Sequence, residues 1–201
     1  MTVCLTDAPE FLVESGVRPE SKRCDVLASG EQQLWRLLGG GDEVWVGELA
    51  LGSDFWRRLV VIREAPGSQL DVLHRHLGRD LPLDGPVACL ALGGRHFHGQ
   101  RGRPWAAREG NLHLSVAVAP RLELNQLGVG LILLPAVAAV DAIREATGAR
   151  VVPDLKWVND VLIDGRKVGG VLTTTLCQWQ TVEVAVMGIG LNITTVPDVD
   201  P

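Results

Sequence analysis

Apolar and polar positions change rhythm several times along the chain, and each change predicts an element. The run RLVVIRE from Arg58 to Glu64 is β-branched and reads as a strand. Ser68 stands where a helix cap belongs, ahead of QLDVLHRHL with Leu70, Leu73 and Leu77 on one face. Val87 to Leu92 is a short buried strand. From Asn111 to Ala119 the residues alternate, so Leu112, Leu114, Val116 and Val118 share a face expected in the core. Residues 125–147 predict the main helix, with Asp141, Arg144 and Glu145 on its wet side and Gly148 as its stop. Strands follow at Leu155–Trp157, ahead of a turn at Asn159, and at Val161–Ile163. The Asp164-Gly165 turn makes a hairpin into Lys167, and Val168–Thr175 pairs with Thr181–Ile193.

Residues 1–56 carry weaker signals. A helix over Glu31–Leu38 ends at Gly39-Gly40-Gly41, and Glu43–Leu51 reads as an edge strand. The glycines and the polar stretch Glu14–Lys22 predict a loosely attached extension, with the principal domain at 57–201. Mixed strands and helices with late hairpins give an α+β (α/β) class, a mainly antiparallel or mixed sheet flanked by helices.

Composition narrows the function. A net charge of −5 argues against nucleic acid or an anionic membrane as a partner of the whole chain, so a basic site must be local. Arg95, Arg101, Arg103 and Arg108 supply one. Cys4, Cys24, Cys89 and Cys177 are widely spaced, with neither zinc-ligand spacing nor a disulfide framework, so reduced and mostly buried thiols are expected. The N-terminus has early acids and no apolar core, unlike a signal peptide. The apolar stretch Leu127–Val140 holds glycines and a proline and is too short for a bilayer. A cytoplasmic protein is expected.

Three glycine-containing segments carry the candidate chemistry. In GGRHFHGQRGRPWAAREGNLHLS, glycines beside arginines suit a loop around phosphate or carboxylate. A solvated surface loop or a metal site on His96 and His98 would share that composition, though no cysteine or acidic partner lies close in sequence. His74 and His76, two apart on a helix, read as solvated. In LKWVNDVLIDGRKVGGVL, Lys156 and Lys167 can face an anion, and Asn159-Asp160 is either a turn or a metal or hydroxyl contact. In MGIGLNIT, strand glycines mark a bulge or a close ligand approach.

In this order and spacing the segments resemble the biotin protein ligases of the biotin/lipoate ligase superfamily. GQRGRPW with REGNLHLS, LKWVNDVLIDGRKVGGVL and GIGLN match that family's basic loop, GNLxxS, KWPND, KxGG and GxGxN patterns over about residues 57–195. The resemblance implies a class II aminoacyl-tRNA-synthetase-like catalytic domain. It also implies an ATP-dependent reaction through biotinyl-5′-adenylate to a lysine of a biotin carboxyl carrier domain, with Mg2+ near Asp160. Lys167, Lys156 and Arg101 are the implied catalytic residues. Biotin is expected at Ser68, Gln69, His96, Gly99, Lys167, Gly170, Leu172, Gly188 and Gly190. The nucleotide is expected at Gln100, Arg101, Gly102, Arg103, Trp105, Asn111, Asn159, Asp160 and Asn192.

Departures from the pattern are local. Aligned back from Trp105 without gaps, Phe97, His98 and Gln100 replace a glycine and two arginines. With a Gly-Arg pair deleted instead, Gly99 keeps the first glycine and His96 takes a glutamine's place, the preferred reading. Either way a loop arginine is lost, and loose retention of the adenylate is expected. Val158 stands for the proline of KWPND. Only the serine of a Ser-Thr-Asn pattern remains, at Ser68. The N-terminus does not read as a helix-turn-helix, so a repressor role is unsupported. Family members usually continue past Asp198–Pro201 into a small β-rich domain, expected here to be cut or absent, and are often homodimers. A lipoate or octanoyl ligase or transferase, and a non-catalytic biotin or adenylate binder, remain alternatives.

Overall fold

The computed structural model describes residues 1–81 and 83–196, and the closing Asp198–Pro201 lie outside them. The chain opens with β1 (Thr2–Thr6), α1 (Pro9–Glu14), β2 (Glu20–Arg23), α2 (Ser29–Leu37) and β3 (Glu43–Leu49). Next come β4 (Arg58–Ala65), α3 (Gln69–His76), β5 (Val87–Gly94) and the short pair β6 (Phe97–His98) and β7 (Pro104–Trp105). β8 (Leu112–Val118), β9 (Leu122–Glu123), α4 (Leu124–Leu127) and α5 (Gly130–Ala146) follow. β10 (Asp154–Lys156), β11 (Asp160–Ile163), β12 (Arg166–Gln178) and β13 (Thr181–Leu191) complete the order.

Eleven strands make one sheet, in the order β10-β11-β12-β13-β8-β5-β4-β1-β3-β2, with β9 paired to β13. β4 runs parallel to β1 and β5, and the remaining pairings are antiparallel. The parallel step from β4 to β5 needs a crossover, and α3 is that crossover. Strand alternation then sorts the core. Val60 and Ile62 of β4 pack with Leu73 and Leu77 of α3 on one face, whereas Leu59 and Val61 pack with Leu12 of α1 on the other. α5 covers the same second face further along, through Ala136 and Ala139 against Val171 and Leu191.

The N-terminal residues are not a loose appendage. β1 sits between β3 and β4, and Leu5, Leu34, Trp35 and Val44 share one core cluster with Val60 and Ile62. β3 is not the edge either, because β2 pairs outside it. The triple glycine has a packing reason. A Cβ on Gly40 would fall 2.1 Å from the Trp35 ring, whose Nε1 donates to the Gly41 carbonyl at 2.9 Å. Arg58 of β4 also reaches back to Glu31 of α2, with Nε 3.2 Å from Oε1 and both side chains under a quarter exposed. Arg58→Ala is expected to lower stability by about 1 kcal/mol in urea titration, the upper end for such pairs.

Two further expectations change. The main helix breaks at Gly128-Val129 into α4 and α5, where Gly128 has a φ of 52°. Taken together, Leu124–Ala146 is long and apolar enough by length and composition to cross a membrane, unlike the shorter stretch considered above. Leu131, Ala136 and Ala139 of that run are buried on the sheet, while Ile132, Leu134 and Val137 are exposed. In β8 the expected apolar face is only partly buried apart from Val116. His113, Ser115 and Ala117 on the opposite face are 3%, 5% and 0% exposed. Polar side chains buried on a sheet face need a reason, and the site supplies one.

Candidate active site

A partly open cavity lies between the start of α3, the 97–105 loop and the sheet face of β8, β12 and β13. Register builds its floor. Leu172, Gly188 and Ser115 form one row across the three strands, and Gly170, Gly190 and His113 form the next. Glycines leave these rows without side chains, so a flat group can lie against the backbone. Leu70 hangs over Gly188 and Trp105 over Gly190, where an added Cβ would meet them at 2.8 and 2.7 Å.

Lys167 reaches the same cavity because β12 is bulged. Val161 pairs with Gly169 but Leu162 pairs with Lys167, so Val168 is an extra residue. In a regular strand Lys167 and Gly170, three apart, would face opposite sides of the sheet; with the bulge both line the cavity. The tight turn ahead of β12 has Asp164 and Gly165 at φ 51° and 73°. The Lys167 ammonium is half exposed and sits 2.7 Å from Asp160 Oδ1, and Asn159 lines the cavity beside it.

The loop folds back on itself. Phe97 pairs with Trp105 and His98 with Pro104, and the Gly99 N–H donates to the Arg103 carbonyl at 2.8 Å. Trp105 Nε1 donates to His113 Nδ1 at 3.2 Å, and His113 Nε2 lies 3.0 Å from the Arg108 carbonyl. Because an indole only donates and a carbonyl only accepts, His113 is neutral with its proton on Nε2. Burial, partly opposed by that carbonyl bond, lowers its pKa below the usual histidine value. His98 turns one ring nitrogen to Asp71 Oδ2 at 2.8 Å and the other to the Gly99 carbonyl at 3.1 Å.

Ser68, Gly99, Gln100, Trp105, Asn159 and Lys167 of the sequence-derived candidates line the cavity. So do Gly170, Leu172, Gly188 and Gly190. Ser68 occupies the N-cap position of α3 but makes no side-chain cap, so its hydroxyl is free for the cavity. Other candidates lie elsewhere. Gln69 is 1% exposed and is not among the lining residues, and its amide meets no partner among the described residues. His96 sits at a bend with φ 56°, and His98, not His96, faces inward. Arg101, Gly102 and Arg103 are exposed at the loop tip, and Lys156 is exposed on the edge strand β10.

Asn111 is a correction of kind. Its Oδ1 accepts from the backbone N–H groups of Ile193, Thr194 and Thr195 at 2.8, 3.1 and 3.2 Å. Its Nδ2 donates to the Thr195 carbonyl at 2.8 Å, to Thr195 Oγ1 at 3.0 Å and to Asn192 Oδ1 at 3.4 Å. No capacity remains for a nucleotide; Asn111 ties down the segment after β13, and Asn192 is part of that knot. Sequence reasoning passed over Leu70, Phe97, His98, His113 and Ser115 as lining residues. The available signal was the polar set 113 and 115 inside an alternating strand.

Fold and site together define a mixed-sheet domain with a glycine-floored cavity, a lysine at its rim and a glycine-arginine loop across its mouth. The model of the biotin/lipoate A/B protein ligase family matches residues 87–192, over half of the chain, and the chain belongs to that family. It is 38% identical over 101 residues to the bifunctional ligase/repressor BirA of Bacillus subtilis, covering 50% of this chain and 30% of that protein. It is 35% identical over 156 residues to the biotin--[acetyl-CoA-carboxylase] ligase of Mycobacterium tuberculosis, covering 73% and 53%. The biotin protein ligase from Aquifex aeolicus in complex with biotin and ATP superposes with a TM-score of 0.53 at 25% identity, covering 70% and 55%. The chain thus spans about half or less of these relatives.

Proposed function

We propose that the chain is the catalytic part of a biotin protein ligase, using ATP to join biotin to a lysine of a carboxyl carrier domain. The observation that carries this reading is the Lys167 ammonium at the rim of a cavity floored by Gly170, Gly188 and Gly190. Biotin is an apolar ring system with a ureido group at one end and a carboxylate at the other. In the proposal the rings lie along the floor rows beside Leu70 and Leu172, with Ser68 and Ser115 to bond the ureido group. A dithiolane would leave those hydroxyls unanswered, which favours biotin over lipoate.

Chemistry follows from the charges. A biotin carboxylate oxygen attacks the α-phosphorus of ATP, the bond to the bridging oxygen breaks, and pyrophosphate leaves with the electron pair. Two anions must approach, so Lys167 offsets their repulsion in the first step. The acceptor lysine amine then attacks the acyl carbon, loses a proton, and AMP leaves. Arg101 and Arg103, exposed at the loop tip, are the phosphate-side cations in this reading. In this reading a Mg2+ ion would be carried by the triphosphate, with Asp160 as its nearby carboxylate. A cytoplasmic setting, without nucleic acid or membrane partners, completes the proposal, and a homodimer is compatible with it.

Biotin-dependent ATP/pyrophosphate exchange tests the reading, and no exchange above the biotin-free control would overturn it. Gly190→Ala offers a geometric check. Its Cβ would meet the Trp105 ring at 2.7 Å, so the ring must leave the floor. Overpacking of this kind costs about 1–3 kcal/mol, so biotin affinity by calorimetry is expected to fall roughly tenfold or more.

A further inference from the structure

The hairpin 97–105 is tied at both ends by a histidine, and the two ties demand opposite protonation states. His98 faces two acceptors, the Asp71 carboxylate of α3 and the Gly99 carbonyl, so both its ring nitrogens must carry protons. His113 accepts from Trp105 and donates to the Arg108 carbonyl, so it must be neutral. Phe97 adds an edge contact to His113, the ring centroids 5.9 Å apart.

We propose that Asp71, His98 and His113 are positioning residues that hold the 97–105 hairpin across the mouth of the cavity, so that ligand retention is greatest at intermediate pH and falls on both sides. This rests on the reading of the cavity as the biotin and adenylate site. None of the three is needed to touch the reacting atoms. Asp71 acts through His98, and His113 acts through Trp105.

Surroundings of the two histidines set the window. Asp71 is the charged side chain in hydrogen-bond contact with His98, and Lys167 of β12 faces the same cavity. Arg101 and Arg103 lie on the hairpin itself, exposed at its tip. His113 is paired in register with Gly190 of β13 and Ala91 of β5, neither of which ionises. The Gly99 carbonyl first, and Asp71 with it, raises the pKa of His98 above 6.5, while burial lowers that of His113 below 6.5. The His98 tie is therefore fully present below 6.5 and lost as pH rises through its raised value. The His113 tie is present above 6.5 and lost as pH falls through its lowered value.

Hydrogen exchange of the 96–105 segment in the full chain without added biotin, corrected for intrinsic rates from pH 5 to 9, reads the ties directly. Protection is expected to peak between the acid loss of the His113 tie and the alkaline loss of the His98 tie, and to fall on both sides. His98→Arg keeps a permanent cation beside Asp71 and should remove the alkaline fall, and Asp71→Asn should reduce protection at pH 7 by about threefold, as for a half-exposed pair. His113→Gln, which offers one acceptor and one donor, should remove the acid fall. The biotin dissociation rate at pH 7 should rise by about the same factor in Asp71→Asn. A flat profile, or unchanged protection in Asp71→Asn, would overturn the proposal, as would changed protection with an unchanged biotin dissociation rate. Failure of the wild-type chain to bind biotin would instead overturn the functional reading, with the exchange profile still deciding whether the ties exist.

Discussion

Replacing Lys167 by alanine is expected to lower biotin-dependent ATP/pyrophosphate exchange by about a thousandfold, the upper range for removing one preorganised charge-stabilising group. Circular dichroism should stay unchanged. The bulge at Val168 brings this ammonium to the cavity side, where the proposed reaction needs a cation to offset the approach of two anions. Its own ion pair with Asp160 is half exposed on the lysine side, so its loss costs the fold little. Lys167→Arg retains the charge on a longer, planar group and is expected to recover part of the activity, because the two cations are not equivalent in shape. Unchanged exchange in the alanine variant would remove Lys167 from the reaction.

Asn111→Ala should act on the fold first. One buried amide oxygen satisfies three successive backbone N–H groups, and the amide nitrogen binds the Thr195 carbonyl and hydroxyl. Partial exposure of residues 193–195 lets water replace some of these bonds, so the loss is set at about 2 kcal/mol. For a chain of this size that corresponds to a thermal midpoint lower by roughly 4–8 °C. Asn111→Asp keeps the acceptor but loses the donors, and an intermediate midpoint is expected. A nucleotide contact would predict the reverse, a normal midpoint with weakened ATP affinity, and scanning calorimetry beside ATP titration separates the two.

How much was legible follows the range of the interactions. The strand at Arg58–Glu64, the helix after Ser68 and the Asp164-Gly165 hairpin are local matters of alternation, helical periodicity and turn chemistry, and they stand where the sequence put them, though Ser68 makes no side-chain cap. The N-terminal strand was not legible, because β1 owes its place to distant partners, Leu49 to Trp45 and Arg58 to Val61. Five residues of TVCLT carry no sign of those partners. The glycine floor was visible as glycines in strands, but which side chains hang over it was not.

The sequence by itself determined the class of the chain and the kinds of chemistry available, since spaced glycines, arginines and lysines identify a family without any geometry. Tertiary structure decided which of those residues share a cavity. It turned Lys167 inward through a single extra residue, left Lys156 on an exposed edge, and committed Asn111 to the backbone. It also chose His98 over His96 and buried His113 beneath Trp105. A side chain's role depends on the partners that surround it, and those partners come from strands far apart in the chain.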